Sequence, residues 1–264
     1  MLYCVSMELI PIQTSRLEGK IDLAHFFLSA MEREKIKLKN GDLLVVSSKL
    51  VAVSEGNVVD ISTIVPSAAA KKRNISRYGT GKEDPRIVEL VLREAEKVIP
   101  GNMMIALKDG NLMPAAGIDL SNAPDGIAIL LPKNSWQSAW KLRATLLKKL
   151  KLKKLGVAII DSRCQPLRWG TVGIALGWAG FDGIEDVRGQ KDLYGKSLKV
   201  TRKAVADNLA SAAQLVMGEG DEARPFVIAR DAPAKFTNKK PDPKKIRIAP
   251  SECIFEGVYN KHVL

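Results

Sequence analysis

Imidazole and thiol are scarce in this 264-residue chain, which holds two histidines, His25 and His262, and three cysteines, Cys4, Cys164 and Cys253. The cysteines are odd in number, far apart and without C-x-x-C spacing, which excludes a disulfide framework and a structural zinc site. A Ser/His/Asp triad would have to recruit His25, which sits among apolar residues of an expected helix, or His262 near the C-terminal end; neither placement suits one. Long apolar runs are also missing. Nothing approaches the roughly 18 uninterrupted apolar residues of a membrane span. No basic segment leads into an apolar stretch between Met1 and Pro11, so no secretory signal is expected and the cytoplasm is the expected compartment. Aromatic residues make up only 5% of the chain. They do not interleave with the basic runs, and no zinc-finger, RRM or helix-turn-helix signature is present, so nucleic acid is not an expected partner.

What the chain does have is apolar material, at 46%, and positive charge: 41 Lys and Arg against 29 Asp and Glu, a formal net charge of +12. The excess falls in clusters at Lys71-Lys72-Arg73, at Lys148, Lys149, Lys151, Lys153 and Lys154, and at Lys235, Lys239, Lys240, Lys244 and Lys245. Such a balance suits nucleic acid, an anionic surface or small anions such as nucleotides. Taken singly, each cluster reads as a solvated helix end or loop.

Apolar spacing divides the chain into short strands and helices. Strands are expected at Glu8 to Ile12, Leu43 to Ser47, Met103 to Lys108, Gly126 to Leu131, Leu155 to Asp161, Thr171 to Leu176 and Pro225 to Ala229. Helices are expected at Asp22 to Lys37, Asp84 to Ile99, Ser135 to Lys149 and Thr201 to Met217. The third-quarter strands follow one another without intervening helices, so the class is α+β with mixed sheets. A main domain is expected over 1–232, followed by a basic, proline-containing extension over 233–264 that runs on the surface. Gly79-Thr80-Gly81-Lys82 imitates the end of a phosphate-binding loop, but Ser76 stands at the first glycine position and Glu83 follows the lysine, so it is set aside. Gly173, Gly177 and Gly180 lack the dinucleotide spacing and are assigned to turns and close packing.

Three acidic stations carry chemistry: Asp119 in Gly117-Ile118-Asp119-Leu120-Ser121-Asn122, ahead of a Pro-Asp-Gly turn; Asp161-Ser162, after the apolar run 156–160; and Glu219 in Met217-Gly218-Glu219-Gly220, closing a helix. Carboxylates and hydroxyls are hard oxygen ligands for Mg2+ or Mn2+ held with nucleotide phosphates. Individually these are equally an exposed loop Asp, a strand-end Asp and a helix-terminal Glu.

The stretches 41–51, Ser54-Glu55-Gly56, 116–122, Asp161-Ser162 with Arg168, Gly170 and Gly173, 189–195, and Val205-Ala206-Asp207 through Glu219 keep one order over residues 8 to 230. Together they resemble the coenzyme F420-0:L-glutamate ligase (gamma-glutamyl ligase) family. The resemblance implies a two-lobed, intertwined homodimeric amide ligase that transfers the terminal phosphate of GTP to a substrate carboxylate, after which the amine of L-glutamate attacks the acyl phosphate. It implies Asp119, Asp161 and Glu219 as catalytic residues. Asp119 and Asp161 would bind one Mg2+ or Mn2+ ion and Ser162 and Glu219 a second, with room for a monovalent cation. Gln13, Thr14, Ser15, Arg16, Ser47, Ser48, Asn122, Met217, Gly218, Gly220 and Asp221 would contact GTP, within a segment reaching Arg224.

The partners implied are GTP, L-glutamate and an anionic coenzyme acceptor, F420-0 or a folate-like relative; a non-catalytic scaffold bound to nucleic acid is the reading from another class. Val53 stands where the family has a lysine, with Lys49 four residues earlier. Cys164-Gln165-Pro166 replaces Gly-Arg-Pro, leaving Arg163 and Arg168 as candidate anion ligands. Arg230-Asp231 replaces Arg-Gly.

Overall fold

The computed structural model describes residues 6–17, 19–73, 82–99 and 104–254. Cys4, His262, Met103 and Gly79 to Gly81 lie outside the described residues. The chain forms β1 (Glu8–Ile12), α1 (Leu23–Arg33), β2 (Leu43–Ser47), α2 (Ser48–Ser54), β3 (Val58–Asp60), α3 (Ala68–Lys72), α4 (Pro85–Glu94), β4 (Lys97–Ile99), β5 (Ile105–Lys108) and β6 (Asn111–Pro114). It continues through β7 (Ile127–Ile129), α5 (Ser135–Leu150), β8 (Gly156–Cys164), β9 (Thr171–Ala179), β10 (Glu185–Asp186), β11 (Arg202–Lys203), α6 (Val205–Met217) and β12 (Phe226–Arg230). Two compact units result: residues 1–55, 132–162 and 171–243 form the first, and 56–131, 163–170 and 244–264 the second.

The first unit is built on a five-stranded sheet in the order β1-β12-β2-β8-β9. β12 is antiparallel to both β1 and β2, whereas β2 and β8 run parallel, so the sheet is mixed, as expected. β2 reads LLVVS, a continuous apolar run because both faces of this central strand are covered. Leu44 and Val46, Val157 and Ile159, and Phe226 and Ile228 share one core with Phe27 and Ala30 of α1 and Leu142 and Leu146 of α5. Phe226 is fully buried with its ring centroid 4.8 Å from that of Phe27, a pair whose truncation to alanine costs about 3–5 kcal/mol.

Two glycines of β9 admit helices at close range: a Cβ on Gly173 would lie 2.4 Å from Ala210 O of α6, and one on Gly177 2.7 Å from the backbone of Ser135 in α5. Ser211 Oγ donates to Gly173 O at 2.9 Å and the Ala175 amide donates to Asp207 Oδ1 at 2.9 Å, which fixes α6 along β9. Close packing is therefore the role of these glycines, as the sequence reading assigns.

The second unit pairs β3 with β7 and carries the antiparallel meander β4-β5-β6. Ile87, Val88, Leu90 and Val91 of α4 pack with Met104, Ala106, Ala115, Ile118 and Ala128 in its core. Asp84 caps α4 by accepting from the Arg86 amide at 2.8 Å, with Pro85 in the first turn.

Several expected bounds move. α4 stops at Glu94, and Lys97–Ile99 is a strand whose Val98 and Ile99 pair with Ala106 and Ile105; β-branched side chains and the proline after Ile99 favour extended backbone there. α1 stops at Arg33 because Lys35 is left-handed (φ 55), and Ile36 instead donates to Met31 O. α6 starts at Val205 because Arg202 and Lys203 pair with Asp186 and Glu185. The short helices α2 and α3 have no signal in apolar spacing. Within the extension no described side chain from Asp231 to Ile254 is buried, as a surface path requires. No helix of the described residues is long and apolar enough to cross a membrane.

Candidate active site

Strand register gathers four of the singled-out segments at one end of the first unit's sheet. Ile12, the last residue of β1, pairs with Phe226, the first of β12, and Phe226 pairs with Val46 near the end of β2. Ser47 then pairs with Ile160 of the parallel β8, so Asp161 and Ser162 continue past the point where β2 stops. The segment after β1 is tied to the one before β12: the Thr14 amide donates to Ala223 O at 2.8 Å and its hydroxyl to the same oxygen at 3.4 Å. The Ser47 amide donates to Pro225 O at 2.9 Å, and Arg33 of α1 holds Gln13 O at 3.2 Å. Gln13, Ser15, Arg16, Asp221 and Arg224 are exposed, whereas Thr14 and Ser48 are buried. Ser47 stands at the N-cap of α2, yet its hydroxyl makes no capping bond.

Asp161 and Ser162 are half-buried. β8 runs on to Cys164, so they lie within the strand, where burial gives way to exposure, and not at its terminus. Asp161 Oδ1 accepts from the Ser162 amide at 2.9 Å. Glu219 is exposed and follows the C-cap of α6, Gly218, whose φ of 79° requires glycine. Its Oε1 accepts from Thr171 Oγ1 at 3.2 Å and from the amide of the Gln214 side chain, which also donates to Thr171 Oγ1 at 3.0 Å. Thr171 and Gln214 were not singled out in the sequence; Gln214, five residues before Glu219 and on the last turns of the same helix, carried a faint signal. The Gly220 amide, a natural phosphate donor, gives its hydrogen bond to Glu222 Oε2 at 2.8 Å.

In the second unit Asp119 is held by backbone and by its own turn. It exchanges two hydrogen bonds with Ile129, at 2.9 and 2.8 Å, and its Oδ1 accepts from the Ser121 amide at 2.7 Å. Just before it, Ala115, Ala116 and Gly117 all have positive φ, at 49°, 54° and 74°. Three consecutive left-handed residues, two with a Cβ, store strain of a kind that clusters at functional sites. Gly117 also approaches Leu131, whose side chain an added Cβ would meet at 2.7 Å. Asn122 is exposed and left-handed (φ 53). The expected Pro-Asp-Gly turn is present, with Ile127 N donating to Pro124 O at 3.1 Å. Of the two arginines left as anion ligands, Arg163 is half-buried and its Nε is buried without a hydrogen-bond partner, whereas Arg168 is exposed.

Arg230 is structural. It makes two bonds to the buried Asp42, at 3.0 and 3.1 Å, which raise its pKa, and it lies at the opposite end of β12 from Phe226. Asp231 beside it has φ 55, a backbone form that glycine adopts without strain and other residues rarely take.

Among the described residues no three His, Cys, Asp or Glu side chains converge in a way that could hold a metal ion alone. Asp161, Ser162 and Glu219 each offer only oxygen donors, the type that suits an ion such as Mg2+ bound by one or two carboxylates with phosphate and water oxygens.

Comparison with known proteins follows the same residues. The profile of the F420-0:Gamma-glutamyl ligase family matches residues 11–231. Proteins named coenzyme F420:L-glutamate ligase are similar over most of their length. That of Methanopyrus kandleri is 39% identical over 234 residues, covering 86% of this chain and 90% of its own. That of Methanothermobacter thermautotrophicus is 41% identical over 233 residues, covering 87% and 90%. The Methanocaldococcus jannaschii protein is 42% identical over 206 residues, covering 77% and 80%. The chain is a ligase that forms a C–N bond, and it belongs to the F420-0:gamma-glutamyl ligase family.

Proposed function

We propose that this enzyme joins L-glutamate to the carboxylate of coenzyme F420-0, with GTP hydrolysed to GDP and phosphate. The observation that supports it is the family match from 11 to 231, a span that includes Asp119, Asp161 and Glu219. A carboxylate is a poor electrophile until one oxygen becomes a leaving group. In the proposed reaction the acceptor's carboxylate oxygen attacks the terminal phosphorus of GTP and GDP departs. The amine of glutamate then attacks the acyl carbon, the C–O bond to phosphate breaks, and the amine proton is lost to solvent or base.

Asp161, Ser162 and Glu219 are proposed to hold divalent metal, with Asp119 serving the same chemistry as a further carboxylate. Bound metal supplies neutralisation of the charge carried by the phosphate oxygens. The chain's own work is positional. Segments 13–16, 47–48, 122 and 217–224 are proposed to bind GTP, the exposed members offering backbone and side-chain donors. Arg163, with its orphaned Nε, suits the carboxylate of glutamate or of the acceptor. A homodimer and a cytoplasmic setting complete the proposal.

Purified protein incubated with GTP, Mn2+ or Mg2+, L-glutamate and F420-0 tests it. One GDP released per glutamyl residue gained by the acceptor, read by product mass, is the expected result. A product formed only with a folate-like acceptor would replace F420-0, and no GDP with either acceptor would overturn the reaction.

A further inference from the structure

At the N-terminal end of β8, away from Asp161, a cleft of about 130 Å³ opens between Arg143, Lys153, Lys154, Phe236, Thr237 and Asn238. Every one of these residues belongs to the first unit. Phe236 to Asn238 lie beyond residue 231, where the family profile ends, so the cleft is built partly from residues outside that match.

Arg143 is the anomaly. It is only 6% exposed, and its partners are Leu155 O, 2.7 Å from Nε, Asn238 Oδ1, 2.6 Å from Nη2, and the Trp140 ring, whose centroid is 5.8 Å away. All of them are uncharged, and among the described residues no carboxylate forms an ion pair with it. A buried guanidinium carries a large desolvation cost that only an anion fully offsets. Burial pulls its pKa down, yet a guanidinium stays charged at neutral pH. Two carboxylates of the neighbouring segments are paired with other cations, Asp42 with Arg230 at 3.0 Å and Asp182 with Lys235 at 4.0 Å.

The surrounding chain is arranged to keep Arg143 in place. Gly180 (φ 90) leaves the space: a Cβ there would lie 2.2 Å from both Arg143 Nε and Leu155 O. The extension is fastened beside it by a bridge between Phe181 and Phe236 and by Thr237 N donating to Gly180 O at 3.0 Å. Asn40 Oδ1 accepts from the amides of Lys153 and Lys154, at 2.7 and 3.0 Å, which fixes the backbone from which the two exposed lysines extend. One buried fork, two flexible ammonium groups, a hydroxyl and an amide thus face one small space.

We propose that this cleft binds a phosphate-type oxyanion, either inorganic phosphate or the phosphate group of a small ester. Three cations match a multiply charged tetrahedral anion better than a single carboxylate, and guanidinium with ammonium is the donor pairing that phosphate oxygens take up. Lys153 and Lys154, the end of the basic cluster at 148–154, acquire a local purpose: they line this cleft.

Thermal unfolding of the full chain is followed at increasing inorganic phosphate and, separately, glycerol 3-phosphate, with chloride at matched ionic strength. A saturable rise of the midpoint with either phosphate compound, absent with chloride, is expected, and the tighter compound identifies the source. The double variant Lys153→Ala/Lys154→Ala, confined to exposed side chains, should weaken the apparent affinity at least tenfold. Asp161→Asn should leave it unchanged. No saturable shift, a shift indifferent to the two lysines, or one lost in Asp161→Asn would overturn the proposal, the last by assigning the anion to the candidate active site. Binding of a single-stranded oligonucleotide without any response to phosphate would overturn it in favour of a polyanion.

Discussion

Thr171 donates from its hydroxyl to Glu219 Oε1 at 3.2 Å, joining the first residue of β9 to the loop that leaves α6. Gln214 closes the triangle by donating to both. An exposed carboxylate held by two side-chain donors has a defined direction, which a metal-binding group needs and a solvated loop glutamate lacks. Thr171→Val keeps the β-branched shape and removes the donor. It should lower kcat/KM for glutamate ligation by about 10- to 100-fold with little change in Tm, and Thr171→Ser should restore most of the rate. A rate unchanged in Thr171→Val would show that the Thr171 bond does not position Glu219 for the reaction.

Asp161→Asn separates charge from shape. The amide retains one oxygen acceptor but loses the formal charge that attracts a divalent ion. GDP release should fall by about 10²-fold or more, with the far-UV circular dichroism and Tm of the parent. Excess chelator should halt the wild-type reaction, and added Mg2+ or Mn2+ should restart it. Wild-type turnover in Asp161→Asn would refute the metal assignment.

The strands were legible where their apolar runs were long. β2 and β1 stand where alternation and run length put them, since a buried strand has little choice about composition. Helix ends were less legible, because they depend on tertiary partners: Lys97–Ile99 leaves the helix to pair with β5, a long-range choice that local spacing cannot express. The site shows the same division. Asp161, Glu219 and Asp119 could be named because carboxylates beside glycine-rich turns stand out and because ordered blocks resemble a family. Thr171 and Gln214 could not, since their meaning arises only when β9 and the residue beyond α6 meet. Arg143 was hidden for a third reason: in sequence it is one more basic residue of an amphipathic helix, and burial alone makes it unusual.

Gly173 tests how closely α6 lies on β9. The added methyl of Gly173→Ala would fall 2.4 Å from Ala210 O, a backbone atom that cannot rotate away. Overpacking of this kind costs about 1–3 kcal/mol, to be read as a lower urea midpoint with an unchanged m-value. Gly220→Ala is the control, because its Cβ would meet nothing nearer than Glu222 Oε2 at 3.5 Å. Equal stability of the two variants would contradict the close approach.

The left-handed turn before Asp119 makes opposite demands on neighbouring side chains. Ala116 sits at φ 54 and ψ 27, where a Cβ costs about 1–2 kcal/mol. Ala116→Gly removes that strain but adds backbone entropy to the unfolded chain, about 0.5–1 kcal/mol, so stability should change little or rise slightly. Ala116→Val adds a branched Cβ at a buried position and should destabilise clearly. Urea midpoints of the two variants check the turn, and a tolerated valine would refute it.

Glu89 gives the second unit a pH signature. This nearly buried carboxylate of α4 is pulled down to about 2, first by the Ser67 hydroxyl, then by the Ser67 amide at 2.9 Å, and then by Arg93, whose Nε donates at 2.9 Å. The Ser67 hydroxyl oxygen meanwhile accepts from the Ala70 amide at 3.2 Å, so one carboxylate supports the start of α3 through a serine. Because the folded pKa lies below the unfolded one, near ~4.3, the folded state binds fewer protons between the two values. The stabilisation is therefore complete above about pH 5 and is lost as pH falls through the unfolded value toward about 2. Glu89→Gln removes the titrating group while retaining a hydrogen-bond acceptor. Its Tm should lie below that of the wild type at pH 7, and the gap should narrow steadily between about pH 5 and pH 3. A gap that stays constant over that interval would mean that Glu89 acts by shape alone, and that the Ser67 and Arg93 bonds contribute equally to the protonated and ionised forms.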